Sequence, residues 1–289
     1  MTDHLDPVAS LLAVLDLRDV GARTTEDIFT GVSQAMPFGR VYGGQVLAQS
    51  IVAASRTLSA DRTVHSMHGY FLRPGDPADG ITFSVDRIHD GRSFSTRRTQ
   101  AFQGGVPIFS MIASFQDEDP GLEHAEPFPD GIPAPEDLPA FDPSGLHPLS
   151  RRMFSESPVE VLHVPSPIYA SVDGPHVPRQ AVWMRIRRTL PDDPSVHRAA
   201  LAYLSDLTIQ EPILRAHGVP WSAPSLKVAS LDHAMWWHRP ARVDDWLLYV
   251  QESPNARGGR GLSTGRIYTR AGALVASVAQ EVMVRVPRD

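Results

Sequence analysis

Apolar residues recur with two different periods along this chain, and the periods come in the same order twice. Leu47, Ile51, Ala54 and Leu58 return every three or four positions, the spacing of one buried helix face. Alternating runs follow at 64–71, 81–88 and 106–115, separated by Gly, Asn and Asp clusters, and these predict antiparallel strands. The sequence then starts again. Alternation at Val182, Met184 and Ile186 leads into a second helical face of Ala199, Tyr203, Leu207 and Leu214. Strand-like runs at 228–237, 246–251 and 273–284 complete the second round. Asp193-Pro194 supplies an N-cap and a first-turn proline for one continuous second helix, and Gly218 can close its far end.

The echo extends to individual residues. Phe71-Leu72-Arg73-Pro74 returns as Trp237-His238-Arg239-Pro240, 166 positions later. Phe102, Gly105, Ile108 and Ser110 return as Tyr268, Gly272, Val275 and Ser277. A tandem duplication accounts for both echoes more economically than chance does. Each copy is expected to be one helix covering a curved antiparallel sheet, an α+β layering. Half of the 26 prolines fall within 117–180. Proline fixes φ and removes a ladder donor, so that stretch should be irregular, neither helix nor central strand. The expected division is a first unit at 1–116, a proline-rich linker at 117–178 and a second unit at 179–289.

Composition narrows the chemistry. No apolar stretch approaches the roughly 20 residues needed to cross a bilayer. Asp3, Asp6, Asp16 and Asp19 stand where a signal peptide would have a basic start and an apolar block. The final Val-Pro-Arg-Asp is neither a peroxisomal address nor a lipidation site. A net charge of −6 without long charge runs speaks against a nucleic-acid partner. Cysteine is absent, which excludes disulfides, thiolate nucleophiles and cysteine zinc sites and fits a reducing cytoplasm. Lys227 is the only lysine. Catalysis would fall to hydroxyls, carboxylates, histidines and amides.

Two motifs are set aside. Gly261-Leu262-Ser263-Thr264-Gly265 matches the G-x-S-x-G elbow of serine hydrolases, but a short strand follows it where a helix is required, and no histidine follows Ser263. It is expected to be a glycine-rich hairpin. His233 and His238 would point to opposite faces of one strand, as would His65 and His68, so neither pair is expected to share a metal.

Three polar residues on apolar faces remain. Asp206 shares a helix side with Ala199, Tyr203, Ile209 and Ile213, where an unpaired carboxylate would be costly. It is either a hydrogen-bonded structural residue or a reactive acid. The first helix has no acidic counterpart, which suggests a division of labour between the copies. Gln280 is in phase with Leu274, Ala276, Val278 and Val282, and its counterpart is near Ala113. Ser230 is in phase with Val228, Ala234 and Trp236. A carboxylate, a hydroxyl and an amide together could hold one water and activate it, with the carboxylate as general base.

Several long motifs then carry a resemblance. Tyr42-Gly43-Gly44-Gln45, the run 64–76, Asp90-Gly91-Arg92-Ser93-Phe94-Ser95, the run 232–240 and the run 274–281 resemble the acyl-CoA thioesterase II (TesB-like) family. The resemblance spans roughly 38–285 and weakens in the proline-rich middle. It implies a double hotdog, in which two tandem units each wrap a long helix in a curved antiparallel sheet. It implies hydrolysis of acyl-CoA to a free acid and coenzyme A, without metal, cofactor or covalent intermediate. It places the catalytic trio on Asp206, Ser230 and Gln280, with serine where many members have threonine. Backbone N–H groups near Gly43 and Gly44 would stabilise the oxyanion. Arg257 and Arg260 would meet the coenzyme A phosphates, or else are solvated loop charges. The chain would work as a homo-oligomer without stable membrane association. The competing readings are a non-catalytic acyl-CoA-binding hotdog protein and a hotdog hydratase, which would show an aspartate–histidine pair on one face.

Overall fold

One antiparallel sheet runs through both halves of the chain, and the two long helices lie against it. In the computed structural model the first half comprises α1 (Pro7–Leu15), β1 (Arg18–Asp19), β2 (Asp27–Gly31), α2 (Gly43–Ser55), β3 (Thr63–Phe71), β4 (Ile81–Asp90), β5 (Phe94–Gln103) and β6 (Val106–Gln116). Beyond the proline-rich stretch come α3 (Pro148–Ser155), β7 (Val159–His163), β8 (Arg179–Ile186), α4 (Pro194–Ser205) and α5 (Glu211–Ala216). The last strands are β9 (Lys227–Ser230), β10 (Asp232–Trp237), β11 (Leu247–Arg257), β12 (Arg260–Thr269) and β13 (Leu274–Arg285). The described residues are 6–20, 26–36, 39–59, 62–139 and 141–286. Of the chain-end residues behind the targeting expectations, Asp3 and 287–289 lie outside these.

The duplication is visible in the strand order. Outward from the β3–β10 pair, one side runs β3, β6, β5, β4, β2, β1 and the other β10, β13, β12, β11, β8, β7, with β9 also on β13. His68 pairs with Ala234, 166 positions away, so each is the other's counterpart and a pseudo-twofold passes between them. Even the irregularities repeat. β3 shifts register between Val64 and Ser66. The second copy breaks at Leu231, with Ser230 opposite Val282 and Ala234 opposite Ala279, one residue more on this side than on β13.

Helix α2 packs on α4 and on the strands around it. Leu47 and Ile51 are buried on it, each worth about 1.5–3 kcal/mol of transfer free energy. Its two buried amides are fully engaged. Gln45 Oε1 accepts from the Gln34 N–H at 2.9 Å, Gln45 Nε2 donates to Gln49 Oε1 at 3.0 Å, and Gln49 Nε2 donates to the Val14 carbonyl at 2.8 Å. The Asp193 carboxylate caps α4 by accepting from the Ser195 N–H at 2.8 Å, as the sequence predicts.

Four expectations are corrected. The proline-rich stretch is not wholly irregular: it contains α3 and the edge strand β7, which pairs with β8. Pro148 opens α3, where its missing N–H costs nothing, and Pro158 and Pro165 flank β7 without interrupting it. The second helix is not continuous. Pro212 cannot donate to the Thr208 carbonyl, so the chain turns after Ser205 and resumes as α5, which Gly218 follows with φ of 63°. The G-x-S-x-G segment lies inside β12, and the hairpin is Gly258-Gly259, where both φ angles are positive. Finally, the extra residue at Leu231 changes phase. Ser230 shares its interior side with buried His233, Met235 and Trp237, not with Ala234 and Trp236.

Candidate active site

The site forms where the end of α4 meets the beginning of α2. Tyr42 Oη donates to the Tyr203 carbonyl at 2.8 Å, and Tyr249 Oη donates to the Ser205 carbonyl at 3.0 Å, so two phenols satisfy carbonyls in the last turn of α4. The Tyr42 and Tyr203 rings meet edge to face at 4.8 Å. This approach requires glycine: a Cβ on Gly44 would stand 2.4 Å from the Tyr203 carbonyl oxygen. Asp206 follows as the C-cap residue of α4 and is 4% exposed. Its carboxylate accepts from the Gly44 N–H, at the positive end of α2 in the other unit.

The three residues singled out in the sequence converge here. Ser230 Oγ donates to Asp206 Oδ1 at 3.2 Å, while Gln280 Nε2 donates to Asp206 Oδ1 at 2.9 Å and to Ser230 Oγ at 2.8 Å. Gln280 is fully buried on β13 and Ser230 ends β9, beside the bulge. Burial pushes the Asp206 carboxyl up to about 6, against the opposing pull of the bonds from Gln280, Ser230 and the Gly44 N–H. A carboxylate so placed is a stronger base than an ordinary aspartate and is still ionised at neutral pH.

Comparison with known proteins decides the family. The family model described as acyl-CoA thioesterase matches residues 152–283, and the acyl-CoA thioesterase N-terminal domain matches 32–116. Acyl-coenzyme A thioesterase 8 of Homo sapiens is 36% identical over 98% of this chain and 93% of its own length. Acyl-CoA thioesterase 2 of Haemophilus influenzae is 35% identical over 99% of both. The crystal structure of the acyl-CoA thioesterase II TesB2 from Mycobacterium marinum has a TM-score of 0.79 at 42% identity, covering 96% of this chain and 98% of that one. The chain belongs to the acyl-CoA thioesterase family. Its two helix-and-meander units are the double hotdog that the resemblance implied.

Within this thioesterase fold one residue of the site escapes sequence reasoning. His233, fully buried on β10, donates from Nδ1 to Gln280 Oε1, and its Nε2 lies 3.0 Å from Ser205 Oγ. Burial pushes its pKa down to about 4, so the ring is neutral at pH 7. Its place among strand histidines hid it; the signal that could have found it is its position beside Gln280 across β10 and β13. The ring meets Gln280 and not Asp206, so the aspartate–histidine pair of a hydratase is not formed. Of the other histidines weighed in the sequence, His65 bonds Ser114 Oγ and His238 bonds Ser277 Oγ, both at 2.9 Å, and His68 packs edge to face on Trp236. No group of three or more metal-binding side chains occurs among the described residues.

The glycines and arginines fall differently. Gly43 faces the carboxylate, with the position of a Cβ only 2.6 Å from Asp206 Oδ2. The Gly44 N–H is committed to Asp206, which corrects the expectation that it stands open for an oxyanion. Arg257 and Arg260 flank the Gly258-Gly259 turn and border a cleft of about 210 Å³ with Ile213, Leu214 and Val284. Neither Asp206, Ser230 nor Gln280 lines that cleft. Arg260 Nε is held by Glu281 Oε1 at 3.1 Å.

Proposed function

We propose that this chain hydrolyses fatty acyl-CoA to the free fatty acid and coenzyme A by direct attack of one water molecule, with Asp206 as the base. The family supplies the reaction. One observation carries the residue assignment: the Gln280 amide lies within hydrogen-bond distance of both the Asp206 carboxylate and the Ser230 hydroxyl. A water at this junction is oriented by the amide and the hydroxyl and loses a proton to Asp206 as its oxygen bonds the thioester carbonyl carbon. The carbonyl electron pair moves onto oxygen. Its return breaks the C–S bond, and the proton on Asp206 passes to the departing sulfur. The products are a carboxylic acid and a thiol, and the route uses neither metal, cofactor nor covalent intermediate. The N–H of Gly43, the first residue of α2, is the amide assigned to the oxyanion. Arg257 and Arg260 are assigned to the coenzyme A phosphates.

A free-thiol assay with acyl-CoAs of graded chain length, on wild type and Asp206→Ala, tests this reading. Absence of thiol release at every length would refute the activity, and unchanged release by Asp206→Ala would refute the site alone. The chain is further assigned to the cytoplasm as a homo-oligomer without stable membrane or nucleic-acid association. The cysteine-free sequence and the net charge of −6 support the compartment and the lack of a polyanionic partner. The family resemblance supports the oligomer. Cell fractionation and light scattering check the two assignments.

A further inference from the structure

We infer that His233 is a positioning residue for hydrolysis: its Nδ1–H holds Oε1 of Gln280 so that the amide nitrogen faces Asp206 and Ser230. The inference rests on the trio proposed above. An amide has two ends of nearly equal shape and opposite polarity. If the Gln280 amide turned over, its oxygen would face a carboxylate and its nitrogen an N–H, losing both useful bonds. At one end the ionised Asp206 carboxylate, which only accepts, calls for the nitrogen, while Ser230, which can donate or accept, adds no preference. At the other end His233, with the ring proton on Nδ1, donates only to the carbonyl oxygen and holds it there. Behind the ring, the Ser205 hydroxyl lies 3.0 Å from Nε2 and 2.8 Å from the Ala202 carbonyl; with the ring proton on Nδ1, its one proton is donated to Nε2. The chain of contacts therefore runs from the last turn of α4, through β10 and β13, back to the residue that follows that turn.

The duplication provides an independent observation. In the first unit the positions of His233 and Gln280 are held by Met67 and Ala113, directly paired in register. Aligned on their N-cap residues Tyr42 and Asp193, the helices place Ala54 opposite Ser205 and Ser55 opposite Asp206. Where the fold carries no catalytic amide, it carries neither the imidazole nor the hydroxyl behind it. A histidine kept only to fill space would have no reason to change together with the amide. Met67 also shows that this fold position accepts methionine.

Four variants test the inference: His233→Met, His233→Asn, Gln280→Ala and the double variant His233→Met/Gln280→Ala. His233→Met should lower kcat about 10- to 100-fold, the range expected when a positioned group is displaced by about an ångström, and leave KM nearly unchanged. His233→Asn keeps an N–H where Nδ1 stood and should recover most of the rate. In the Gln280→Ala background, His233→Met should cost nothing further, because its effect passes through the amide. Wild-type kcat in His233→Met, equal losses in the Met and Asn variants, or the same loss with and without Gln280 would each overturn the inference. Gln280→Ala separates the two levels. If it is slow while His233→Met is not, only the histidine role falls; if it is as fast as wild type, the trio itself falls.

Discussion

Gly43 and Asp206 belong to different units, yet a Cβ on Gly43 would stand 2.6 Å from Oδ2 of Asp206 and 3.1 Å from the Phe71 ring. Neither obstacle is backbone, so a methyl group can be accommodated if the carboxylate turns away. That movement removes the base from its contacts with Gln280 and Ser230. Gly43→Ala should therefore fold, with a melting temperature close to wild type, and lose about 100-fold or more in kcat. Gly44→Ala should behave differently, because its Cβ would stand 2.4 Å from the Tyr203 carbonyl and would push the helices apart. Thermal melting beside thiol-release kinetics distinguishes the two glycines. A fully active Gly43→Ala would remove Asp206 from the chemistry.

The pH profile should report Asp206 directly. Around it stand Tyr42 and Tyr249, whose burial pushes their hydroxyls well above the usual range, and His233, neutral above about 4. Asp206, at about 6, is the group of this set that titrates near neutrality. The rate should rise with pH and level off above an inflection near 6, and Asp206→Asn should abolish both the rate and the inflection. Stability should move the other way. The unfolded carboxyl ionises near 3.8 and the folded one near 6, so below 3.8 both are protonated and the group contributes no difference. Above 6 both are ionised and the full cost of the buried charge is present. Asp206→Asn should thus gain in melting temperature relative to wild type as pH rises from 4 to 6, with no further gain beyond. An inflection near 4 with no such gain would mean an ordinary, solvated aspartate.

Ser263 offers a test of the motif that misleads. Its hydroxyl is fully buried inside β12 and has no hydrogen-bond partner in the structure, although it sits opposite Gln280 in register. An unsatisfied buried hydroxyl costs about 1–3 kcal/mol. Ser263→Ala should keep wild-type turnover and melt about 2 °C higher or more. Loss of turnover would return Ser263 to the site.

The trio was legible because each member breaks an apolar face. Asp206 does so on a helix, Gln280 does so on a strand, and one copy of a duplicated chain supplies what the other lacks. What surrounds them was less legible. The break after Ser205 depends on Pro212, whose effect on the preceding turn is masked by the continuing apolar spacing of Ile209, Ile213 and Leu214. The bulge at Leu231 inserts one residue, which inverts any phase argument carried across it, so the strand companions expected for Ser230 are wrong although the structure brings it to Asp206 and Gln280. β5 is not among the expected strands: Arg97, Arg98 and Gln100 interrupt any apolar run there, yet Arg97 is buried, donating to Thr57 Oγ1 at 2.7 Å and to Asp90 at 2.7 Å. Arg97 stands in the first unit where Ser263 stands in the second, opposite Ala113 instead of Gln280. In the first unit an ion pair with Asp90 fills the position that the Ser263 hydroxyl holds in the second.

The arginines that flank Gly258-Gly259 call for a substrate-dependent test, because the cleft they border is lined by none of Asp206, Ser230 and Gln280. Both are exposed, and the cleft beside them is floored by Ile213, Leu214 and Val284, a surface suited to a flat ring with phosphates at its rim. If they hold the phosphates of coenzyme A, the double variant Arg257→Ala/Arg260→Ala should raise KM for acyl-CoA about tenfold or more and leave kcat alone. The same variant should leave KM unchanged for an acyl thioester of N-acetylcysteamine, which carries the reacting bond and no phosphate. Added salt should raise KM for acyl-CoA in wild type and much less in the variant. Glu281 sharpens the test. Its carboxylate accepts from Arg260 at 3.1 Å and competes for the charge the phosphate would use, so Glu281→Gln should lower KM for acyl-CoA. Equal responses to both thioesters would show that these arginines are solvated charges.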